Sequence, residues 1–297
     1  ETAMPELPEV ETMRRGILPC LGATISDIHF FTLPLKPIQV TPSVRQVRRR
    51  VAGSVVTSVD RLGKRILLEL DARQVLVFEP RMTGMLSVEN VPSQEHLRVR
   101  INLAGGDLDK IYFWDRRGLG TVQLMRLDEL AVRLGPDRIG PDALSIECDE
   151  LRQRLRRSRR AIKVALLDQK VVAGIGNIYA SEILHLAHVH PAARCDLLGR
   201  LQWERIHQAM REVLEDAIRH EGSTLSDGSY RNALNNPGSY QARHQVYDRD
   251  GEACLRCEGK QVQRIVQAQR STFFCPGCQP RRTWKETDGL QVAVAAR

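Results

Sequence analysis

Met4-Pro5-Glu6-Leu7-Pro8-Glu9-Val10-Glu11 is the stretch from which the rest of the chain is best read. Without its first four residues the chain would begin with proline, whose α-amine is a secondary amine and a nucleophile toward an aldehyde or sugar carbon. An α-amine titrates at about 7.7–8.0, against about 10.4 for lysine, so at neutral pH it is unprotonated hundreds of times more often. Glu6, directly after it, is a carboxylate able to move protons during such chemistry. Pro5 and Pro8 would equally stiffen a segment ahead of a helix. This stretch alone does not separate the two readings.

At the other end, Cys254-Leu255-Arg256-Cys257 and Cys275-Pro276-Gly277-Cys278 form two C-x2-C knuckles separated by seventeen residues. Each knuckle offers two thiolates, and the spacing predicts a tetrahedral four-cysteine site on a small β-hairpin, holding one structural Zn2+. Two disulfides or a redox pair are the alternatives. Disulfides suit a secreted chain, whereas no apolar signal segment is read here and the seven cysteines are odd in number. Cys20, Cys148 and Cys195 read as ordinary thiols.

A chain of 297 residues is long enough for two domains with separate cores. No apolar stretch approaches the roughly 20 residues of a membrane span. The 44 basic and 36 acidic residues leave a charge of +8. Basic residues cluster at Arg45, Arg48, Arg49 and Arg50, and again at Arg152, Arg154, Arg156, Arg157, Arg159, Arg160 and Lys163. Each cluster could be a solvated helix face. Together with a zinc module they favour a polyanion, most simply nucleic acid. Low aromatic content argues against a platform that stacks single strands.

A helix is expected from Pro8 to Leu21, with Val10, Met13, Ile17 and Leu21 near helical spacing. Ile66–Leu70 and Val75–Phe78 are short apolar runs, and Leu97–Leu103 alternates before the turn Ala104-Gly105-Gly106-Asp107. These strands suggest a β-sandwich. Leu134-Gly135-Pro136-Asp137 through Gly140-Pro141 punctuates the chain, and the domain boundary is placed there. Beyond it the period becomes helical. Leu151 pairs with Leu155 and Ile162 with Leu166, and Trp203, Ile206, Met210, Val213 and Ala217 mark one face of a long helix. Ala173-Gly174-Ile175-Gly176-Asn177 precedes an apolar helix over Ile178–Leu186. Its backbone amides would suit a phosphate, although the loop could be only a tight turn between helices.

Together these pieces resemble the formamidopyrimidine-DNA glycosylases, bacterial enzymes that excise oxidised purines such as 8-oxoguanine. The resemblance runs from Met4 to about Gln279. It rests on PELPEVET at the start, Asp168-Gln169 leading to GIGNIYASE at 174–182, Val246-Tyr247, and Arg270-Ser271-Thr272-Phe273-Phe274-Cys275-Pro276. Leu7 is similar to this branch rather than to endonuclease VIII, which usually carries glycine there.

The resemblance implies an α+β multidomain fold: an N-terminal antiparallel β-sandwich over 5–135, a helix–two-turn–helix domain over 136–245, a four-cysteine zinc finger over 246–282 and a tail over 283–297. Residues 1–4 read as a foreign tripeptide and the initiator Met4. The resemblance makes Pro5 the nucleophile on C1′ of the damaged nucleotide and Glu6 the proton donor and acceptor at the opening sugar. Lys64, in Leu62-Gly63-Lys64-Arg65, would assist β-elimination. Arg270 would grip the flanking phosphates and assist δ-elimination, and Asn177 would hold the same phosphates. Met82, Arg117 and Leu119 would fill the space left by the extruded base, and Arg159 and Lys163 would add DNA contacts. The partner implied is double-stranded DNA carrying oxidised bases or abasic sites, met by a monomer in the bacterial cytoplasm, at the nucleoid.

Four features depart from the family pattern. Leu119 stands for a phenylalanine, Glu79-Pro80 for His-Leu, and Gln94 lies near an expected DNA-contacting histidine. The segment from Thr224 to Tyr240, which would lid the damaged base, is atypical. Two other readings stay open on these grounds: a preference for oxidised pyrimidines or abasic DNA, and a binder of damaged DNA that does not cut it.

Overall fold

In a computed structural model, residues 4–281 are described, apart from Ser226, Asp227, Ser229 and Glu258. The expectations for Glu1-Thr2-Ala3 and for the tail from Thr283 lie outside the described residues.

The chain opens with α1 (Leu7–Ile17), whose first turn accepts Pro8 because the amide lost there has no intrahelical partner. The helix stops four residues before the expected Leu21. Pro19 cannot donate an amide, so Leu18–Cys20 tightens into a 3-10 turn and Leu21 is left exposed. There follow β1 (Thr24–Phe30), β2 (Gln39–Thr41), α2 (Val44–Val51), β3 (Val56–Leu62), β4 (Arg65–Leu70), β5 (Gln74–Glu79), β6 (Gly84–Ser87), β7 (Leu97–Ala104), β8 (Lys110–Asp115) and β9 (Thr121–Arg126). They build two sheets, ordered β1-β7-β8-β6 and β2-β9-β5-β4-β3. All pairs are antiparallel except β2 with β9, a parallel contact that the antiparallel expectation did not include.

Alternation along the strands sends one face of each sheet into a shared core. Ile66, Leu68, Leu76 and Phe78 of one sheet meet Val99, Ile101 and Phe113 of the other, with the Phe78 and Phe113 rings 5.6 Å apart. The outer face of the five-stranded sheet buries Leu67, Val75, Val77 and Met125 beneath α3 (Leu127–Arg133).

A second core gathers α4 (Cys148–Leu155), α5 (Ile162–Leu166), α6 (Asn177–Leu186) and α7 (Arg200–Arg219). The hairpin of β10 (Gln263–Gln267) and β11 (Arg270–Phe274) packs onto it through Phe273. Two residues cross between the cores. Leu7 belongs to the helical core, while Val10, Met13 and Ile17 on the same helix belong to the sandwich. Tyr230 returns from the far segment into the sandwich core. Helix α1 is therefore the shared wall on which both halves close. No helix among the described residues is long and apolar enough to cross a membrane.

Candidate active site

Pro5 and Glu6 are buried at the start of α1, against the loop that leads into α6. The Leu7 amide donates to the Gly174 carbonyl (3.0 Å). The Glu6 carboxylate then takes three amides at the head of α6. Gly176 donates to Oε2 at 2.7 Å, Ile178 to Oε1 at 2.9 Å and Tyr179 to Oε2 at 3.4 Å. The sequence left open whether these amides suit a phosphate or only a tight turn between helices; in the structure the chain supplies its own anion. Gly176, as the helix N-cap, has no side chain to do so. Gly174, at φ 106°, lies so close to Leu7 that a Cβ there would meet Leu7 Cδ1 at 2.5 Å. Gln169 holds the loop from outside: its Oε1 accepts from the Gly174 amide (2.9 Å) and its Nε2 donates to the Ile175 carbonyl (2.9 Å).

Burial pushes the Glu6 carboxyl pKa upward. The Lys64 ammonium and the three amides oppose that shift by favouring the charged form. Lys64 occupies the second position of the two-residue turn joining β3 to β4, where Gly63 takes the positive φ (57°) that such a turn needs first. The turn abuts the α6 loop, since a Cβ on Gly63 would lie 3.0 Å from Ala173 Cβ. Burial depresses the Lys64 pKa; Glu6 opposes this, and the Arg270 guanidinium reinforces it.

Glu9 lies one turn along α1 and was not singled out from the sequence. Its Oε2 accepts the Glu6 amide (2.9 Å), and its Oε1 accepts the Tyr179 hydroxyl (2.5 Å) and the Ser223 amide (2.8 Å). Ser223 Oγ lies 3.0 Å from His244 Nε2, so a buried polar chain runs from Glu9 to that imidazole. Burial, then the neighbouring Glu6 charge, raises the Glu9 pKa to about 7. The spacing of Glu9, three residues after Glu6, is the capping-box signal that could have marked it.

Arg270 is exposed at the tip of the β10–β11 hairpin, beyond Ala268 and Gln269, which both adopt positive φ (47° and 61°). Lys163 is not a surface contact. It is fully buried, and its ammonium donates to the Ser271 carbonyl (3.1 Å), to Thr272 Oγ1 (2.8 Å) and to Asn177 Oδ1. The α5 helix aims the lysine inward, because Ile162, Ala165 and Leu166 around it are core residues. It thereby ties the head of α6 to the finger hairpin. Arg159 is exposed, and Asn177 is half-buried.

Met82 and the Arg117–Leu119 loop are cross-linked. The Thr83 hydroxyl donates to Asp115 Oδ1 (2.6 Å), and the same carboxylate accepts from the amides of Arg117 (3.1 Å) and Gly120 (2.7 Å). The Gly84 amide closes the Met82 turn onto the Pro80 carbonyl (2.9 Å), and Glu79 is paired with Arg65 and Arg81. Met82 and Leu119 are half-buried and Arg117 is exposed.

The four knuckle cysteines converge, with all sulfurs within 4.8 Å of one another. Cys254 and Cys278 are 3.8 Å apart and Cys257 and Cys275 3.6 Å, close to the edge of about 3.8 Å that a tetrahedron with Zn–S bonds of roughly 2.3 Å requires. None of the four is in a disulfide. The donor set fits one structural zinc. His185 Nε2 lies 3.6 Å from Cys254 Sγ, and Glu182 accepts the amides of Gln245, Val246 and Tyr247 ahead of the finger.

Three family profiles match the chain: the Formamidopyrimidine-DNA glycosylase N-terminal domain over residues 4–122, the Formamidopyrimidine-DNA glycosylase H2TH domain over 134–229, and the zinc finger found in FPG and IleRS over 251–281. The formamidopyrimidine-DNA glycosylase of Chloroflexus aurantiacus is 39% identical over 279 residues, spanning 93% of this chain and 98% of that protein. The crystal structure of MutM (FPG) from Thermus thermophilus superposes with a TM-score of 0.80 at 38% identity, over 93% of this chain and 98% of that one. Lactococcus lactis Fpg bound to DNA containing an abasic site gives 0.81 at 33% identity, over 93% and 100% of the two chains. A mutant of that same protein, bound to DNA containing Fapy-dG, gives the same values. The chain belongs to the formamidopyrimidine-DNA glycosylase family.

Proposed function

We propose that the protein is a bifunctional DNA glycosylase and abasic-site lyase of base-excision repair, acting on oxidised purines in double-stranded DNA. The observation that carries this reading is the packing of the Pro5–Glu6 start against the head of α6, with the Lys64 turn beside it. Removal of Met4 frees the Pro5 nitrogen. With the target nucleotide out of the stack, that nitrogen bonds to C1′ as the glycosidic bond breaks and the base departs with its electron pair and a proton. Glu6 protonates the sugar oxygen as the ring opens, leaving an iminium between Pro5 and C1′. Loss of a C2′ proton, assisted by Lys64, expels the 3′ phosphate; a second elimination, assisted by Arg270, expels the 5′ phosphate. Water then hydrolyses the iminium and restores the amine.

Asn177 and Arg270 address the flanking phosphates. With Oδ1 turned to the Lys163 ammonium, Nδ2 is the Asn177 atom suited to a phosphate oxygen. Zinc supplies folding energy to the finger that carries Arg270 and takes no part in bond making. Met82, Arg117 and Leu119 occupy the vacated stack. A chromosomal substrate places the work in the bacterial cytoplasm, at the nucleoid.

The test is borohydride trapping on abasic, 8-oxoguanine and oxidised-pyrimidine duplexes, comparing protein that begins at Pro5 with protein that retains residues 1–4. In the retained form the nitrogen lone pair is delocalised into a peptide bond. Trapping through Pro5, seen only in the first form and stronger on the purine lesion than on the pyrimidine, is the expected result. Equal trapping by both forms, mapped to a lysine, would overturn the mechanism.

A further inference from the structure

One cavity is lined by none of the residues given a role above, although its bordering segment packs on the Arg117–Leu119 loop, where a Cβ on Gly118 would collide with the Lys36 carbonyl. It opens between the end of β1, the segment 31–38 and the start of α2, has a volume of about 450 Å³, and is walled by Phe30, Phe31, Leu33, Ile38 and Val44. A single charged side chain, Arg98, joins that wall. Arg98 is 3% exposed. Its Nε donates to the Asp115 carbonyl (2.8 Å), while its Nη2 is buried without a hydrogen-bond partner. A buried guanidinium with an unused donor, set in a wall that is apolar but for Thr32, asks for an acceptor attached to an apolar body.

The rim is basic. Val44, in the wall, lies one helical turn from Arg48, and exposed Arg45 and Arg49 share the same short helix. Lys36 is exposed between Leu35 and Pro37 of the bordering segment, and the Arg100 guanidinium sits 5.8 Å over the Phe31 ring. Two carboxylates face this region. Asp27 reaches Arg48 at 3.5 Å, and Asp115 is occupied by Thr83 and the loop amides. The apolar surface continues outward through Leu35 (40% exposed) and Val44 (39%), beyond what a small enclosed ligand would cover.

We propose that this cavity docks the extreme C-terminus of a partner protein: an apolar final residue in the pocket, its free carboxylate on Arg98, and preceding acidic residues along the arginines of α2. Capture of a chain-terminal carboxylate is an established mode of peptide recognition, and the charge pattern matches it here. A phosphodiester backbone has no apolar body to fill the pocket, which sets duplex DNA aside as the occupant.

The test uses full-length protein and fluorescence anisotropy with a labelled peptide of four acidic residues followed by Ile-Phe with a free carboxylate. The same peptide ending in an amide serves as the comparison. Saturable micromolar binding is expected at low salt, weakened tenfold or more by the amide. Because Arg98 also supports the Asp115 loop, the pocket is tested at its rim. Val44→Glu should weaken the peptide tenfold while melting temperature and trapping on abasic DNA stay as in the parent, and the pair Arg45→Glu and Arg49→Glu should weaken it tenfold as well. Absence of saturable binding, equal affinity for the amide, or peptide affinity unchanged by Val44→Glu would overturn the proposal. So would charge reversal on α2 that weakened duplex binding and left the peptide bound, since the helix would then belong to the DNA track.

Discussion

At Gly176 the Glu6 carboxylate fills the place that a Cβ would take. A Gly176→Ala protein must push that carboxylate from its three amides. Overpacking of this kind costs about 1–3 kcal/mol. Calorimetry should show a lower melting temperature, and borohydride trapping should fall while duplex affinity holds; unchanged trapping would mean that the clamp on Glu6 is dispensable. Glu9 makes a pH prediction. Its folded pKa of about 7 exceeds the ordinary 4.5, so the folded state retains a proton that the unfolded chain has released. The stability it contributes is complete below about pH 4.5 and is lost as the pH rises through 7. Glu11 runs the other way. Burial raises its pKa, but hydrogen bonds from Arg14, Arg15 and Arg61 outweigh this and hold it at about 2, so its contribution is lost only in acid. Urea unfolding of the parent and of Glu9→Gln between pH 4.5 and 8 should show the parent losing up to about 3 kcal/mol relative to the variant. Parallel curves would remove Glu9 from the account.

At the scale of elements, α5, α6 and the finger hairpin meet on one ammonium. Lys163→Met keeps the length of the side chain but strands the Ser271 carbonyl, the Thr272 hydroxyl and Asn177 Oδ1, at a cost of about 1–3 kcal/mol for each buried group left unpaired. Duplex affinity should fall with the slope of log affinity against log salt unchanged. Loss of a true phosphate contact would reduce that slope by roughly one. A reduced slope would return Lys163 to the DNA surface. The same comparison shows what the sequence could reveal. Knuckle spacing, alternation at Leu97–Leu103 and the apolar face of Trp203–Ala217 are set by near neighbours, and all three were legible. The burial of Lys163 depends on groups 108 and 109 residues away, and the partners of Glu6 lie 170 to 173 residues away. A lysine in an arginine-rich run therefore read as surface, and a glycine loop stayed open between a phosphate cradle and a tight turn. The hairpin tip gave no warning either, because Ala268 and Gln269 adopt a backbone more often given to glycine or asparagine.

Across the whole molecule, α1 and Arg61 hold the halves together. Arg61 on β3 pairs with Glu11 (3.0 Å) and, through two nitrogens, with Asp142 ahead of α4 (2.5 and 3.1 Å). Among the described residues the finger packs on the helical half, through Phe273 and the Lys163 ammonium. Metal removal should therefore act on one side. Chelation is expected to abolish duplex binding and to split calorimetric unfolding into an early step for finger and helices and a later one for the sandwich. A single transition shifted as a whole would show that the halves do not separate. The clamp on Glu6 also has a consequence for biosynthesis. Its three amides are translated about 170 residues after Pro5. At 5–20 residues per second, the newborn terminus spends on the order of 10 to 30 s without its future enclosure. In that interval a processing peptidase meets an open end, whereas afterwards Met4 is half-buried and Pro5 buried. Under the proposed mechanism, trimming to Pro5 would thus run against a clock set by the arrival of α6, and molecules that closed first would stay locked out of the chemistry.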